Sequence, residues 1–141
     1  MRTPRSRWWL LAPIAMMVAI QVVSGLPHPF HVTAEDGFSA LEISASKVLF
    51  SPGEAVANLL HAPVFAALAL LWCWALGPWT RSRRSLLAVT AAVCLAFGVV
   101  NELSQVYVPT RTASLLDVLA DAIGAAAGLA AFLLVGPARS E

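Results

Sequence analysis

Four long apolar stretches, separated by shorter polar segments, dominate the sequence. Each is close to the roughly 20 residues that an α-helix needs to cross a bilayer. The stretches cover approximately residues 8–26, 54–76, 85–107 and 115–135. This pattern predicts an all-α membrane protein, a four-transmembrane-helix bundle that forms one domain over residues 1–141. One longer connection, residues 27–53, joins the first two helices.

Boundary signals support these spans. The motif SPGE at residues 51–54 has the spacing of a capping box with proline at the first helical position, and Gly77-Pro78 ends the second stretch. Ser114 and Asp117 repeat the capping spacing before the fourth. Within the 27–53 connection, helical spacing of apolar residues predicts a short amphipathic helix, although a strand fits this segment nearly as well.

Composition and charge then set the environment and the orientation. Hydrophobic residues make up 59% of the chain and charged residues 12%, which excludes an ordinary soluble domain. The formal net charge of +1 gives no reason to expect a nucleic-acid partner. Basic residues concentrate on one side of the predicted bundle, so the positive-inside rule predicts that both termini are cytoplasmic. That side carries Arg2, Arg5, Arg7, Arg81, Arg83, Arg84 and Arg139, and the other carries Lys47 and Arg111.

Polar residues inside the spans are the candidates for function. His61 lies early in the second stretch, Glu102 and Gln105 close the third, and Asp117 and Asp121 lie early in the fourth. The helical rise puts Glu102 about 8 Å, and His61 and Asp121 about 9 Å, below the outer interface. A carboxylate at the bilayer centre costs about 3 kcal/mol on insertion scales, so these side chains need partners or water. Their shared depth predicts that they converge.

The spacing of small residues predicts how the helices pack. Two stripes run along the third and fourth helices: Cys94, Gly98, Glu102 and Gln105 on one, and Asp117, Asp121, Gly124 and Gly128 on the other. The GxxxG pair permits close approach of a neighbouring helix. We predict that the two stripes face each other, with small residues on the cytoplasmic side and a polar pocket open to the outer side. Cys73 and Cys94 are predicted to be free, inert thiols.

Arg111, between the third and fourth helices, is the predicted counter-charge of this pocket. It does not balance three carboxylates alone, so His61 is protonated, one carboxyl keeps its proton, or the pocket holds a cation or a basic group. Glu102 caps no helix and lies inside the hydrocarbon, so its position has the fewest structural explanations of the set. Asp117 has such an explanation, because a carboxylate in a first helical turn favours the helix dipole.

The sequence carries no strong signature of a reaction or a cofactor. No cysteine or histidine pair has metal-ligand spacing, and no glycine-rich loop resembles a phosphate cradle. We predict no cofactor and no metal, with a divalent-cation site built from the histidine and the three carboxylates as a minor alternative. The candidate catalytic residues are His61, Glu102 and Asp121. The candidate binding residues are these three with Gln105, Arg111 and Asp117.

The order of these polar residues resembles the VanZ-like family of small bacterial membrane proteins. The resemblance rests on Glu102-x-x-Gln105, Pro109-x-Arg111, Ser114-x-x-Asp117 and Gly124-x-x-x-Gly128, preceded by His61. The chain departs from the family pattern in two places. It has Ala57-Asn58 where members often have Asp-Lys, and it has Asp121 where they tend to have Asn.

The resemblance implies a multi-pass protein of the bacterial plasma membrane, in a family whose founding member is linked to low-level resistance to teicoplanin, a lipid-tailed glycopeptide. We therefore expect a polar pocket at the outer leaflet that acts on a lipid-linked or amphiphilic molecule of the cell envelope. Two alternatives stay open at this point, a membrane enzyme on a phospholipid or lipid carrier and a non-catalytic accessory subunit. The sequence does not indicate the oligomeric state.

Overall fold

The computed structural model describes residues 7–26, 52–108 and 113–136, and only the backbone of 52–59. Within these ranges the chain forms four α-helices and no strand: α1 (Leu11–Ser24), α2 (Pro52–Leu76), α3 (Arg83–Gln105) and α4 (Leu115–Val135). Short 3-10 turns, Arg7–Leu10 and Gly77–Trp79, precede α1 and follow α2. All four helices, α1 together with its 3-10 turn, are long and apolar enough to cross a membrane. The predicted all-α fold with four membrane-spanning helices is confirmed.

The helix boundaries follow local chemistry. α2 begins at Pro52, a residue whose missing N–H costs nothing at the first helical position, and it ends before Gly77. α3 begins two residues earlier than predicted because the Ser82 hydroxyl accepts a hydrogen bond from the Ser85 N–H at 3.1 Å. The predicted amphipathic helix falls on the connection after α1, whose residues 27–51 lie outside the described ranges.

The helices alternate in direction, and contacts at one end of the bundle show which termini meet. Trp9 packs edge-on against Trp74, with ring centroids 4.4 Å apart. Arg83 Nη2 donates to the Leu133 carbonyl oxygen at 2.7 Å, which puts a cation at the C-terminal end of α4, where the helix dipole favours it. The first and last described segments therefore lie at the same end, which also carries Arg81 and which we call the basic end.

The closest helix contact joins α2 and α4. A Cβ on Gly124 would clash with the Ala62 carbonyl oxygen and lie 2.7 Å from the Ala62 Cα. A Cβ on Gly128 would clash with the Ala66 carbonyl oxygen and lie 2.9 Å from the Ala66 Cα. The GxxxG pair thus permits close approach as predicted, but its partner is α2. The prediction that the glycines face α3 is wrong, because the small residues that receive them are the alanines of α2.

α3 packs against this pair and is as well buried as α2, whereas α1 is mostly exposed. Phe97 of α3 stacks on Phe65 of α2, with ring centroids 5.9 Å apart. Both cysteines are buried and free, as predicted. Only 6% of the span formed by α1 and its 3-10 turn is buried. A polar bond from Gln21 Nε2 to Ser104 Oγ, at 2.6 Å, ties α1 to α3. α1 is the peripheral helix of the bundle.

Pro63 lies inside α2, two residues after His61. Proline has no N–H to donate to the carbonyl four residues earlier, which belongs to Leu59. The second span therefore lacks one helical hydrogen bond next to the residues that the sequence marks as functional.

We predict that Gly124→Ala destabilises the bundle by about 1–3 kcal/mol, because the new methyl group meets backbone atoms that cannot rotate away. Ala127→Val adds more bulk at an exposed position of the same helix and serves as the control. Thermal unfolding of the purified protein in detergent measures both variants. Equal midpoints for the two variants would contradict the close α2–α4 contact.

Candidate functional site

Four polar residues meet between α2, α3 and α4 at the end of the bundle opposite the basic end. They are His61, Glu102, Asp117 and Asp121, and we call them the polar cluster. Potential ligand atoms of His61, Glu102 and Asp117 all lie within 4.8 Å of one another. Asp121 joins the group through His61. The expected convergence of residues from three spans is present, and what it does chemically is a separate question.

His61 and Asp121 form the strongest polar contact of the cluster. His61 Nδ1 and Asp121 Oδ1 are 2.8 Å apart, and Asp121 is only 2% exposed. A Cβ on Gly98 would lie 3.0 Å from Asp121 Oδ2, so the carboxylate packs directly on the backbone of α3. A pair this deep is destabilising to break, because the remaining partner stays buried without compensation. The contact therefore links α2 to α4 and positions the imidazole.

Glu102 is held by two hydrogen bonds. Its Oε1 accepts from Gln105 Nε2 at 3.0 Å, and its Oε2 accepts from the Ser114 N–H at 2.9 Å. Ser114 is the N-cap residue of α4, so the carboxylate lies near the positive end of that helix. Glu102 therefore also has a structural role, since it fixes the connection between α3 and α4. Each oxygen still has a lone pair to offer.

Asp117 lies in the first turn of α4 and is 8% exposed. The predicted capping box does not form, because the Ser114 side chain makes no cap hydrogen bond. The Asp117 N–H donates instead to the Ser114 carbonyl oxygen, three residues earlier, at 3.2 Å, as in a 3-10 turn. Its carboxylate lies beside His61 and Glu102. Asp117 therefore belongs to the cluster as well as to a helix start.

Of the two remaining predicted residues, the structure describes Gln105 but not Arg111. Gln105 is 1% exposed and contacts Glu102 directly, so it supports the cluster from the same helix. Arg111, the predicted counter-charge, lies outside the described residues and remains a prediction from the sequence.

Two features were missed at the level of sequence. Asn101 is fully buried, and neither its Oδ1 nor its Nδ2 has a hydrogen-bond partner in the part of the chain that the structure describes. Within the same part, Asp121 Oδ2 also has none. The Gln21 to Ser104 bond was missed because a single amide in a span does not reveal which helix it meets. Asn101 carried a signal, as a strongly polar amide at the end of an apolar run.

Two cavities of the bundle lie away from the polar cluster. One of about 460 Å³ is lined by Ile14, Met17, Val18, Gln21, Trp72 and Phe97. A second of about 350 Å³ shares Met17 and Phe97 with it. Both are apolar surfaces between α1 and its neighbours. The cluster lines neither cavity, and the predicted opening of a polar pocket toward the outer surface remains a prediction.

The arrangement supports three kinds of chemistry. A histidine with a buried carboxylate partner is held in one orientation and can exchange a proton through its other nitrogen. Three carboxylates beside it attract a cation or an amine. The same groups also bond helices to one another, since His61 joins α2 to α4 and Glu102 joins α3 to the start of α4.

We predict that substitutions of His61 and Asp121 have coupled effects on the free energy of unfolding. In a double-mutant cycle of His61→Ala and Asp121→Ala, the coupling should be about 0.5–3 kcal/mol in favour of the pair. Asp121→Asn keeps an oxygen acceptor and should lose less stability than Asp121→Ala. Thermal or chemical unfolding in detergent measures each variant. Strictly additive effects would contradict the 2.8 Å contact.

Comparison with known proteins leads to one family. No curated protein and no solved structure matches the chain. The model of the family described as VanZ/LLP1 matches residues 8–136, which include all four helices and the polar cluster. With nearly its whole length covered, this four-helix chain belongs to the VanZ/LLP1 family.

Proposed function

We propose that this protein acts at the outer leaflet of the bacterial plasma membrane on an amphiphilic or lipid-linked molecule of the cell envelope. The observation that carries the proposal is one cluster of a half-buried histidine and three buried carboxylates that come from three membrane-spanning helices. Ionisable groups inside a span are costly and are generally associated with a ligand or a proton path. Apolar residues of similar size would join the helices without that cost.

The chemistry of the proposed ligand follows from the groups at this end of the chain. Glu102 or Asp121, together with His61, would exchange protons or bind an amine. Arg111, which enters from its sequence position alone, would hold an anionic group through its fork of N–H donors. A molecule with both kinds of polar group and an apolar tail suits this set. Teicoplanin and lipid-linked cell-wall precursors have that character.

The main competing explanation is that the cluster only fixes the register of the helices. Two hydrogen-bonded contacts of the cluster, His61 with Asp121 and Glu102 with Ser114, connect different elements. A purely structural cluster and a ligand site differ in one respect: removal of charge should lower the amount of folded protein in the first case and spare it in the second.

The test is teicoplanin susceptibility of a sensitive host that produces the wild type, Glu102→Gln or Arg111→Ala, with the membrane abundance of each measured. We expect the wild type to raise the inhibitory concentration and both variants to abolish the effect at unchanged abundance. Tyr107→Phe removes an exposed hydroxyl at the same end, outside the cluster, and should protect as the wild type does. No protection by the wild type would refute the resistance proposal, and loss of abundance in the variants would favour the structural explanation.

The proposed orientation has its own test. Tyr107 follows α3 at the end with the polar cluster and is 88% exposed, whereas Arg81 is exposed at the basic end. A membrane-impermeant maleimide should label Tyr107→Cys in intact cells and Arg81→Cys only after permeabilisation. The native cysteines are fully buried and should not react. The reverse labelling pattern would put the polar cluster at the cytoplasmic face and exclude action at the outer leaflet.

A further inference from the structure

We propose that His61, Glu102 and Asp117 bind a divalent metal ion of the Zn²⁺ or Mn²⁺ type between α2, α3 and α4. Their ligand atoms lie within 4.8 Å of one another. Metal–ligand bonds of about 2.0–2.2 Å hold ligands on opposite sides of an ion about 4 Å apart, so only small side-chain movements would complete the site. This inference does not depend on the proposed function.

Hydrogen bonds already orient the ligand groups of His61 and Glu102. His61 Nδ1 is engaged by Asp121 Oδ1 at 2.8 Å, which leaves Nε2 as the ring atom that can bind a metal. A buried carboxylate on the second nitrogen is the usual way that proteins orient a metal-binding histidine. Glu102 is fixed by Gln105 and the Ser114 N–H, and one lone pair remains on each of its oxygens.

An independent observation points to a missing group beside these ligands. Asp121 Oδ2 is buried, has no hydrogen-bond partner in the described ranges, and packs on Gly98. Asn101, fully buried and one turn further along α3, has both amide atoms without partners there. Gly98, on which Asp121 packs, lies three residues before Asn101 and therefore on the same side of α3. A metal ion that carries water would supply the charge and the donor that this region lacks.

The donor set narrows the kind of ion. One imidazole nitrogen and two carboxylate oxygens suit Zn²⁺ and Mn²⁺, whereas soft ions such as Cu⁺ prefer sulfur. The two cysteines do not contribute, since Cys73 bonds to Thr90 in the interior at 3.7 Å. Mg²⁺ usually takes oxygen ligands and keeps several waters. Three protein ligands also leave a coordination position open for water or an anionic group.

The experiment uses the full chain without a histidine tag, purified in detergent, treated with a chelator and equilibrated with Mn²⁺ or Zn²⁺. Elemental analysis should find about one ion per chain, as expected for a site with three protein ligands. Pulsed electron paramagnetic resonance of the Mn²⁺ form should detect ¹⁴N from a coordinated imidazole. That signal should disappear in His61→Gln and persist in the matched control His31→Gln.

Two further variants cover a failure of His61→Gln to fold. Asp117→Asn should weaken metal binding at least tenfold, and Asp121→Asn by about 10–100-fold, the range seen when the partner of a metal-binding histidine is lost. Ser104→Ala should bind as the wild type does. A metal-dependent rise in the unfolding temperature of the wild type, absent in Asp117→Asn, would link binding to the folded cluster.

Several results would overturn the proposal. Wild type that takes up no stoichiometric ion and shows no thermal shift would show that the cluster binds no metal. Persistence of the ¹⁴N signal in His61→Gln, or unchanged affinity in Asp117→Asn, would show adventitious binding only. The teicoplanin result bears on none of these outcomes, so the metal site and the proposed function fail or stand separately.

Discussion

The backbone contact between α2 and α4 is the constraint on which the rest of this structure depends. Gly124 and Gly128 lie so close to Ala62 and Ala66 that neither glycine has room for a methyl group. His61 precedes Ala62 by one residue and Asp121 precedes Gly124 by three, so the register of the glycines decides whether imidazole and carboxylate meet. A slip of one turn, about 5.4 Å along the axis, would separate them beyond hydrogen-bond reach. The close backbone packing of α2 and α4 thus determines the geometry of the contact between His61 and Asp121.

The polar cluster shows how a membrane protein keeps charged groups inside its spans. Each carboxylate with a defined contact is paired within the bundle, Asp121 with His61 and Glu102 with Gln105 and the Ser114 N–H. These bonds come from three different spans and one helix start, so no single helix satisfies its own polar groups. The bundle must assemble before the carboxylates are stabilised, and this favours one arrangement of the helices over others. Specificity of assembly and a capacity for ligand binding therefore arise from the same residues.

Much of this fold follows from the sequence, because the lengths of the apolar segments and the residues that begin and end helices are local properties. The spans, the start of α2 at Pro52 and the limits of α4 follow from them, and helix depth alone predicts that His61, Glu102 and Asp121 converge. Which helices and side chains contact one another does not follow from the sequence. A GxxxG pair predicts close approach but not that Ala62 and Ala66 receive it, and a carboxylate such as Glu102 does not reveal the distant N–H that it bonds. Neither the sequence nor the contacts reveal the roles of these residues, since the same contact geometry suits a side chain that binds a ligand and one that only joins two helices.

Pro63 gives α2 a point of bending next to the polar cluster. The Leu59 carbonyl has no helical donor, so the segment before the proline is joined to the remainder of α2 by fewer hydrogen bonds than a regular helix has. Ala62 and Ala66 are fixed against α4, whereas the turns that begin at Pro52 lie on the far side of this weak point. The second span thus combines a part that is fixed against α4 through Ala62 and Ala66 with a first part that has one helical hydrogen bond fewer.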